Sequence, residues 1–152
     1  MSEPLFHIAL LQPEIPQNTG NIGRLALGLQ CRLHLVHPLG FSLSEKAVRR
    51  AGLDYWKHVD LQEHESTESF FSWLQDRQVF LFSTKAETSY RTATMTPGCV
   101  LVFGPESKGI SQALRSQYPC LTIPMRGPIR SLNLSNAVAV SSYEAFHQIS
   151  GV

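Results

Sequence analysis

Arg24, Arg126 and Arg130, a carboxylate at Glu106, and several Asn and Ser side chains near helix starts are the residues of this 152-residue chain with chemistry to offer. Arg126 and Arg130 lie within five residues of one another in the loop 123–133 (IPMRGPIRSLN). That spacing suits forked contacts to phosphate oxygens. Ser131 and Asn133 close the same loop, either as ligand donors or as caps of the helix that follows. Glu106 sits in Gly104-Pro105-Glu106-Ser107-Lys108-Gly109, directly after a buried apolar run. A functional carboxylate belongs at such a position; a surface turn with Glu106 capping the next helix fits equally well. In Asn18-Thr19-Gly20-Asn21-Ile22-Gly23-Arg24, free N–H groups at a helix start can hold an anion, and Arg24 can point back toward that loop. The segment is neither a P-loop, since no Gly-Lys-Ser/Thr follows, nor G-x-G-x-x-G. The same glycines also fit a well-capped helix packed closely on a sheet. A further basic cluster, Lys46, Arg49, Arg50, Lys57 and His58, has Tyr55 and Trp56 beside it. Such a mixture binds single-stranded RNA by phosphate contact and base stacking, or it is a solvated face with two aromatics in the core.

These residues need elements to position them. Apolar runs at 5–11 (LFHIALL), 32–36 (RLHLV), 78–83 (QVFLFS), 99–103 (CVLVF) and 120–123 (CLTI) predict buried strands, with a shorter one at 58–61. Helices are predicted over 20–30 with Asn18-Thr19 as cap, over 44–51 with Gly52 as stop, over 66–74 with Phe70, Phe71 and Leu74 inward, over 110–117, and over 133–149. Residues 84–97 read as polar and irregular, with room for a short helix. Strand, helix and strand within about 32 residues make a βαβ unit and hence a parallel sheet. The expected fold is α/β: a mostly parallel sheet flanked by helices, in one domain over 1–152. The last helix is small or apolar nearly all round (Ala137, Val138, Ala139, Val140, Ser141, Ser142) and expects protein on most sides. Loops after Leu11, Phe103 and Ile123 lie beyond strand carboxyl ends, where open α/β sheets bind ligands.

Composition narrows the classes. Thirteen Lys and Arg against twelve Asp and Glu give a net charge of +1, so no basic footprint announces nucleic acid, although a local patch remains open. Cys31, Cys99 and Cys120 are far apart without C-x-x-C spacing, as expected of reduced thiols in the cytoplasm. No apolar stretch approaches the ~20 residues of a membrane span, and no signal segment is visible. The six histidines have no metal-ligand spacing, and His7, His34 and His37 are expected to pack near strands. No Ser–His–Asp or Cys–His set can be assembled, and no metal is expected.

Taken in order, NTGNIGR, LVFGPESKGI and IPMRGPIRSLNLSNAVAVSSYEAF resemble the three motifs of the SPOUT-class RNA 2′-O-ribose methyltransferases. PEIPQNTGNIGR and LHLVHPLGF–RRAGLDYW extend the likeness over essentially the whole chain. The resemblance implies a deep trefoil knot in the C-terminal part of the α/β domain. It implies S-adenosyl-L-methionine in that knot, touching Phe82, Gly104, Glu106, Ile123, Met125, Ser131 and Leu132. It carries the catalytic arginine onto Arg24, with Asn18 and Asn133 beside it, and RNA contact onto Asn21, Arg126 and Arg130, joined by Lys46, Arg49 and Arg50 of the basic cluster. A homodimer is implied, with Tyr143 and Phe146 of the last helix at its interface. A chain this short is similar to the class members that methylate the wobble ribose, cytidine or uridine 34, in the anticodon loop of tRNA. The alternatives are a knotted RNA-binding protein without activity, the same chemistry on another RNA such as rRNA, and a phosphate-ligand enzyme, which the absent Lys-Ser/Thr disfavours.

Overall fold

Strands that are apolar without alternation need cover on both faces, and the chain supplies it as a three-layer sandwich. The computed structural model describes residues 3–44 and 54–152. In chain order they form β1 (His7–Leu11), α1 (Pro16–Gly28), β2 (Arg32–Val36), β3 (Leu61–His64), α2 (Thr67–Leu74), β4 (Val79–Phe82), β5 (Val100–Phe103), α3 (Gln112–Arg115), β6 (Cys120–Leu121) and α4 (Leu134–Ser150). Single 3-10 turns occur at Trp56–His58 and Tyr90–Thr92. The six strands make one sheet in the order β3-β2-β1-β5-β4-β6, with every pairing parallel.

Every residue of β1, β4 and β5 is buried. On one face Ile8, Leu10, Leu33, Leu101 and Phe103 pack under α1 and α4, through Ile22, Ala26, Val138 and Ala145. On the other, Ala9, Leu11, Val36, Leu81 and Val102 meet Phe70 and Leu74 of α2. Truncating a fully buried Leu in either layer to Ala costs about 2–5 kcal/mol. The edge strands are the least apolar or the shortest: β3 reads LQEH and β6 spans two residues. Such edges are poor templates for further pairing.

Several expectations are corrected. Helix α1 begins at Pro16, with Ile15 at its N-cap, so Asn18 and Thr19 lie inside its first turn instead of capping it. Proline at the first helical position is the favoured start. The strand expected at 58–61 is displaced to Leu61–His64, because His58 is taken up in a 3-10 turn. The last strand stops at Leu121, and beyond it Thr122 bridges Ser89. Beyond Ser44, the helix expected over 44–51, its stop at Gly52, and the basic residues Lys46, Arg49 and Arg50 lie outside the described residues. The cap expected at Asn133 is present, its side chain accepting from the Ser135 N–H, and the structure adds one at Ser66, whose hydroxyl accepts from the Ser69 N–H. Among the described residues no helix is long and apolar enough to cross a membrane.

Candidate active-site cleft

The sheet order reverses between β1 and β5, since β2 and β3 lie to one side and β4 and β6 to the other. Beyond the carboxyl ends of β4, β5 and β6 lies a cleft of about 560 Å³, within the range of small-molecule sites. Its walls are the end of β4 with Ser83 to Lys85, the loop from Gly104 to Ile110, the loop from Thr122 to Asn133, and the first turns of α1 and α4. Phe82 and Phe103, the last residues of adjacent strands, stack with centroids 4.8 Å apart and rings 14° from parallel. They form an apolar floor.

The turn after β5 is built by backbone contact. A Cβ on Gly104 would fall 2.4 Å from the Gly109 carbonyl carbon and 2.6 Å from the Ile110 nitrogen. No larger residue fits without opening the turn. Gly109 closes it at φ +67°, donating its N–H to the Pro105 carbonyl at 2.8 Å.

Glu106 does not reach freely into the cleft. One carboxylate oxygen accepts from the Glu14 N–H at 2.8 Å, and the other from the Ile15 N–H at 2.9 Å and the Asn18 amide at 3.2 Å. Helix α1 has no side-chain cap of its own. Glu106 thus supplies a long-range anionic acceptor at the helix start, where the dipole favours it. The brace is reciprocal: the Glu14 carboxylate accepts from the Ser107 N–H at 2.8 Å and the Ser107 hydroxyl at 3.0 Å. These bonds hold the Glu14 carboxyl below the usual carboxylate range. Behind them, the Gly40 N–H donates to the Pro13 carbonyl at 2.9 Å. Two loops some 90 residues apart in sequence are thereby locked at one end of the sheet.

All seven residues expected at the cofactor (Phe82, Gly104, Glu106, Ile123, Met125, Ser131 and Leu132) line this cleft. So do Asn18, Asn133 and Arg130. Asn18 is buried, and its amide is engaged by Glu106. The Asn133 oxygen is engaged by Ser135, through the N–H at 2.9 Å and the hydroxyl at 2.7 Å. Arg24, Asn21 and Arg126 do not line the cleft of their own chain and are exposed. Lys85, Ser107 and Lys108 are among the wall residues that escaped the sequence reading as site residues. Lys85 follows the carboxyl end of β4, and Ser107 and Lys108 sit inside the very turn that was singled out. The signal for Lys85 was its position just past a buried strand. Glu106 is the single carboxylate among the described residues of the wall, against Lys85, Lys108 and Arg130. The cleft is therefore biased toward positive charge.

Tyr55 and Trp56 turn inward and pack against the core rather than offering faces to bases. The Tyr55 hydroxyl donates to the Gly20 carbonyl at 2.8 Å, and the Arg24 guanidinium lies 5.8 Å from the Tyr55 ring centroid. Partial burial raises the Tyr55 hydroxyl above its ordinary value, and the Arg24 charge opposes that rise.

The SpoU rRNA Methylase family matches over residues 5–143. The tRNA (cytidine(34)-2′-O)-methyltransferase of Methylovorus glucosotrophus is 46% identical over 147 residues, covering 95% of this chain and 96% of that one. The protein of the same name in Aeromonas hydrophila is 42% identical, with 95% of each chain covered. A solved structure concerned with the 2-OH methylation of C/U34 on tRNA is 49% identical and superposes with a TM-score of 0.92 over 97% of both chains. An AdoMet-bound rRNA methyltransferase from Sinorhizobium meliloti is 25% identical, with a TM-score of 0.80 over 95% of this chain and 60% of that one.

Proposed function

The chain belongs to the SpoU rRNA Methylase family, and from that premise we propose that it methylates the ribose 2′-oxygen of the wobble nucleotide, cytidine or uridine 34, of tRNA, using S-adenosyl-L-methionine. The observation that carries this reading is full-length similarity to tRNA (cytidine(34)-2′-O)-methyltransferases, joined to a cleft of suitable size at the strand carboxyl ends. The cleft fits the cofactor. Its floor of two stacked phenylalanines suits a flat heterocycle, the Gly104 turn admits backbone approach, and its polar rim suits the amino-acid end. Phe82, Gly104, Ile123, Met125, Ser131 and Leu132 hold the group in this reading, and Glu106 acts beneath them as a brace. When bound, the cofactor supplies a methyl group already activated by its sulfonium.

The chain's own contribution is then placement and charge. Arg24 carries a guanidinium that has no carboxylate partner among the described residues. It orients the phosphate beside the target ribose and stabilises negative charge as it develops on the 2′-oxygen. Arg126, Arg130, Lys85 and Lys108 contribute phosphate contacts around the rim, and Asn21 joins them on the RNA side. Because Arg24 is no wall of its own chain's cleft, a second copy completes the site in this reading. Leu27 of α1 and Val140 and Tyr143 of α4 are exposed apolar side chains, 37%, 39% and 56% accessible, and Phe146 contacts the Tyr143 ring. They form the face on which two copies pair. A trefoil threading of the C-terminal segment and a cytoplasmic location complete the proposal.

The test is transfer of labelled methyl from S-adenosyl-L-methionine to tRNA lacking the modification, followed by nucleoside mapping. Label in 2′-O-methylcytidine or 2′-O-methyluridine at position 34 is expected. Label at another position or on rRNA, or cofactor binding without transfer, contradicts the reading.

A further inference from the structure

Resting on that function, we propose that Tyr55 is a positioning residue for Arg24: its ring is the platform that aims the guanidinium at the RNA. Three contacts carry this. The Tyr55 hydroxyl donates at 2.8 Å to the carbonyl of Gly20, the residue one helical turn before Arg24 on α1. The Arg24 guanidinium carbon lies 5.8 Å from the Tyr55 ring centroid, inside cation–π range. The neighbouring Trp56 ring is seated on Gly23, where a Cβ would come within 2.5 Å of its Cζ3. Tyr55 and Trp56 therefore clasp the one turn of α1 that bears Arg24.

The chemistry explains why an aromatic ring serves better here than an acid. An arginine on a helix surface loses rotamer entropy when it engages an anion. A carboxylate partner would orient it but also neutralise the charge the reaction needs. A ring face orients the guanidinium by its quadrupole and leaves the N–H groups and charge available to phosphate and to the 2′-oxygen. Among the described residues no carboxylate pairs with Arg24, whereas Arg32 and Arg91, outside the site, are paired with Asp60 and Glu144.

The experiment is a double-mutant cycle on single-turnover methyl transfer to tRNA at saturating cofactor and RNA. Tyr55→Leu and Tyr55→Phe are each made in the parent enzyme, in Arg24→Ala and in Arg24→Lys. Tyr55→Leu is expected to slow transfer about five- to tenfold in the parent, and Tyr55→Phe, which keeps the ring, about twofold. Cofactor affinity by calorimetry stays unchanged, because neither Tyr55 nor Arg24 lines the cleft. In Arg24→Ala, Tyr55→Leu costs nothing further, and in Arg24→Lys, which keeps a cation over the ring without the guanidinium fork, it costs less than in the parent. A purely structural Tyr55 slows transfer by the same factor in every background, and that result overturns the proposal, as does full activity in Tyr55→Leu. Should Tyr55→Leu fail to fold, the phenylalanine arm decides by the same criterion. A parent enzyme inactive on tRNA overturns the functional reading itself, and this proposal with it.

Discussion

Glu106 shows how much of a residue's role is decided by partners far away in sequence. Its place after a buried strand made it readable as a functional carboxylate or as a cap, and the structure makes it the cap of a helix that precedes it by 90 residues. No spacing rule could choose, because capping rules look a few residues along the chain. Glu106→Gln replaces an acceptor oxygen with an amide donor facing N–H groups. It should lower the unfolding free energy by about 1–3 kcal/mol and weaken cofactor binding, measured by urea titration and calorimetry. Unchanged values of both would show that the brace carries no energy. Arg24 is the converse case, since its motif was legible but its isolation from carboxylates and its seat on Tyr55 were not. Arg24→Ala should slow transfer by about 100-fold or more with cofactor affinity intact; near-full turnover would remove it from the chemistry.

At the scale of elements, buried strands and local caps were readable. HIALL, RLHLV, VFLF and VLVF are apolar runs of strand length, and Asn133 caps the helix that follows it. The edge strand LQEH was misplaced by three residues, because a polar, half-covered edge has no apolar signature to fix its register. The start of α1 was misplaced too: Asn18 looked like a cap, but Pro16 sets the first turn and the cap arrives from another loop. The Gly104 turn is the element on which the cleft depends most. Gly104→Ala sets a methyl group 2.4 Å from backbone, which cannot move aside as a flexible side chain can. It should reduce cofactor affinity at least tenfold by calorimetry, with a smaller loss in melting temperature. Wild-type affinity in that variant would mean the turn is not part of the site.

At the scale of the whole molecule, a parallel α/β sheet followed from alternating strands and helices, whereas the order β3-β2-β1-β5-β4-β6 did not. Which strand lies next to which depends on long-range packing that no local pattern records. That order also sets His7, His34 and His64 side by side on β1, β2 and β3. His7 Nδ1 lies 2.9 Å from His34 Nε2, and His34 Nδ1 lies 2.9 Å from His64 Nε2, under Trp73. Three neutral rings in line satisfy both contacts with one N–H each. Burial, reinforced by Arg32 and Arg77, lowers His7 to about 4, and burial with its two histidine neighbours lowers His34 to about 2. Both folded values lie below the ordinary 6.5, so above that pH the rings are neutral in both states and contribute no pH dependence. As pH falls below 6.5 the unfolded chain takes up protons the folded one refuses. Stability is then lost at about 1.4 kcal/mol per pH unit per ring, down to pH 4 for His7 and lower for His34. Urea unfolding at pH 7.5 and 5.0 should differ by about 2 kcal/mol or more, and His34→Gln should flatten the profile. A flat profile in the parent protein would contradict the buried neutral relay.

The most direct measurement compares two tRNAs that differ by one oxygen. One carries cytidine at position 34, the other 2′-deoxycytidine, and both are offered with labelled S-adenosyl-L-methionine to the same enzyme. Stoichiometric label is expected in the first and none in the second, with the two RNAs bound equally within about threefold, since phosphates rather than the 2′-hydroxyl dominate affinity. Equal label in both RNAs would mean that the ribose oxygen of nucleotide 34 is not the acceptor, and the central claim would fall.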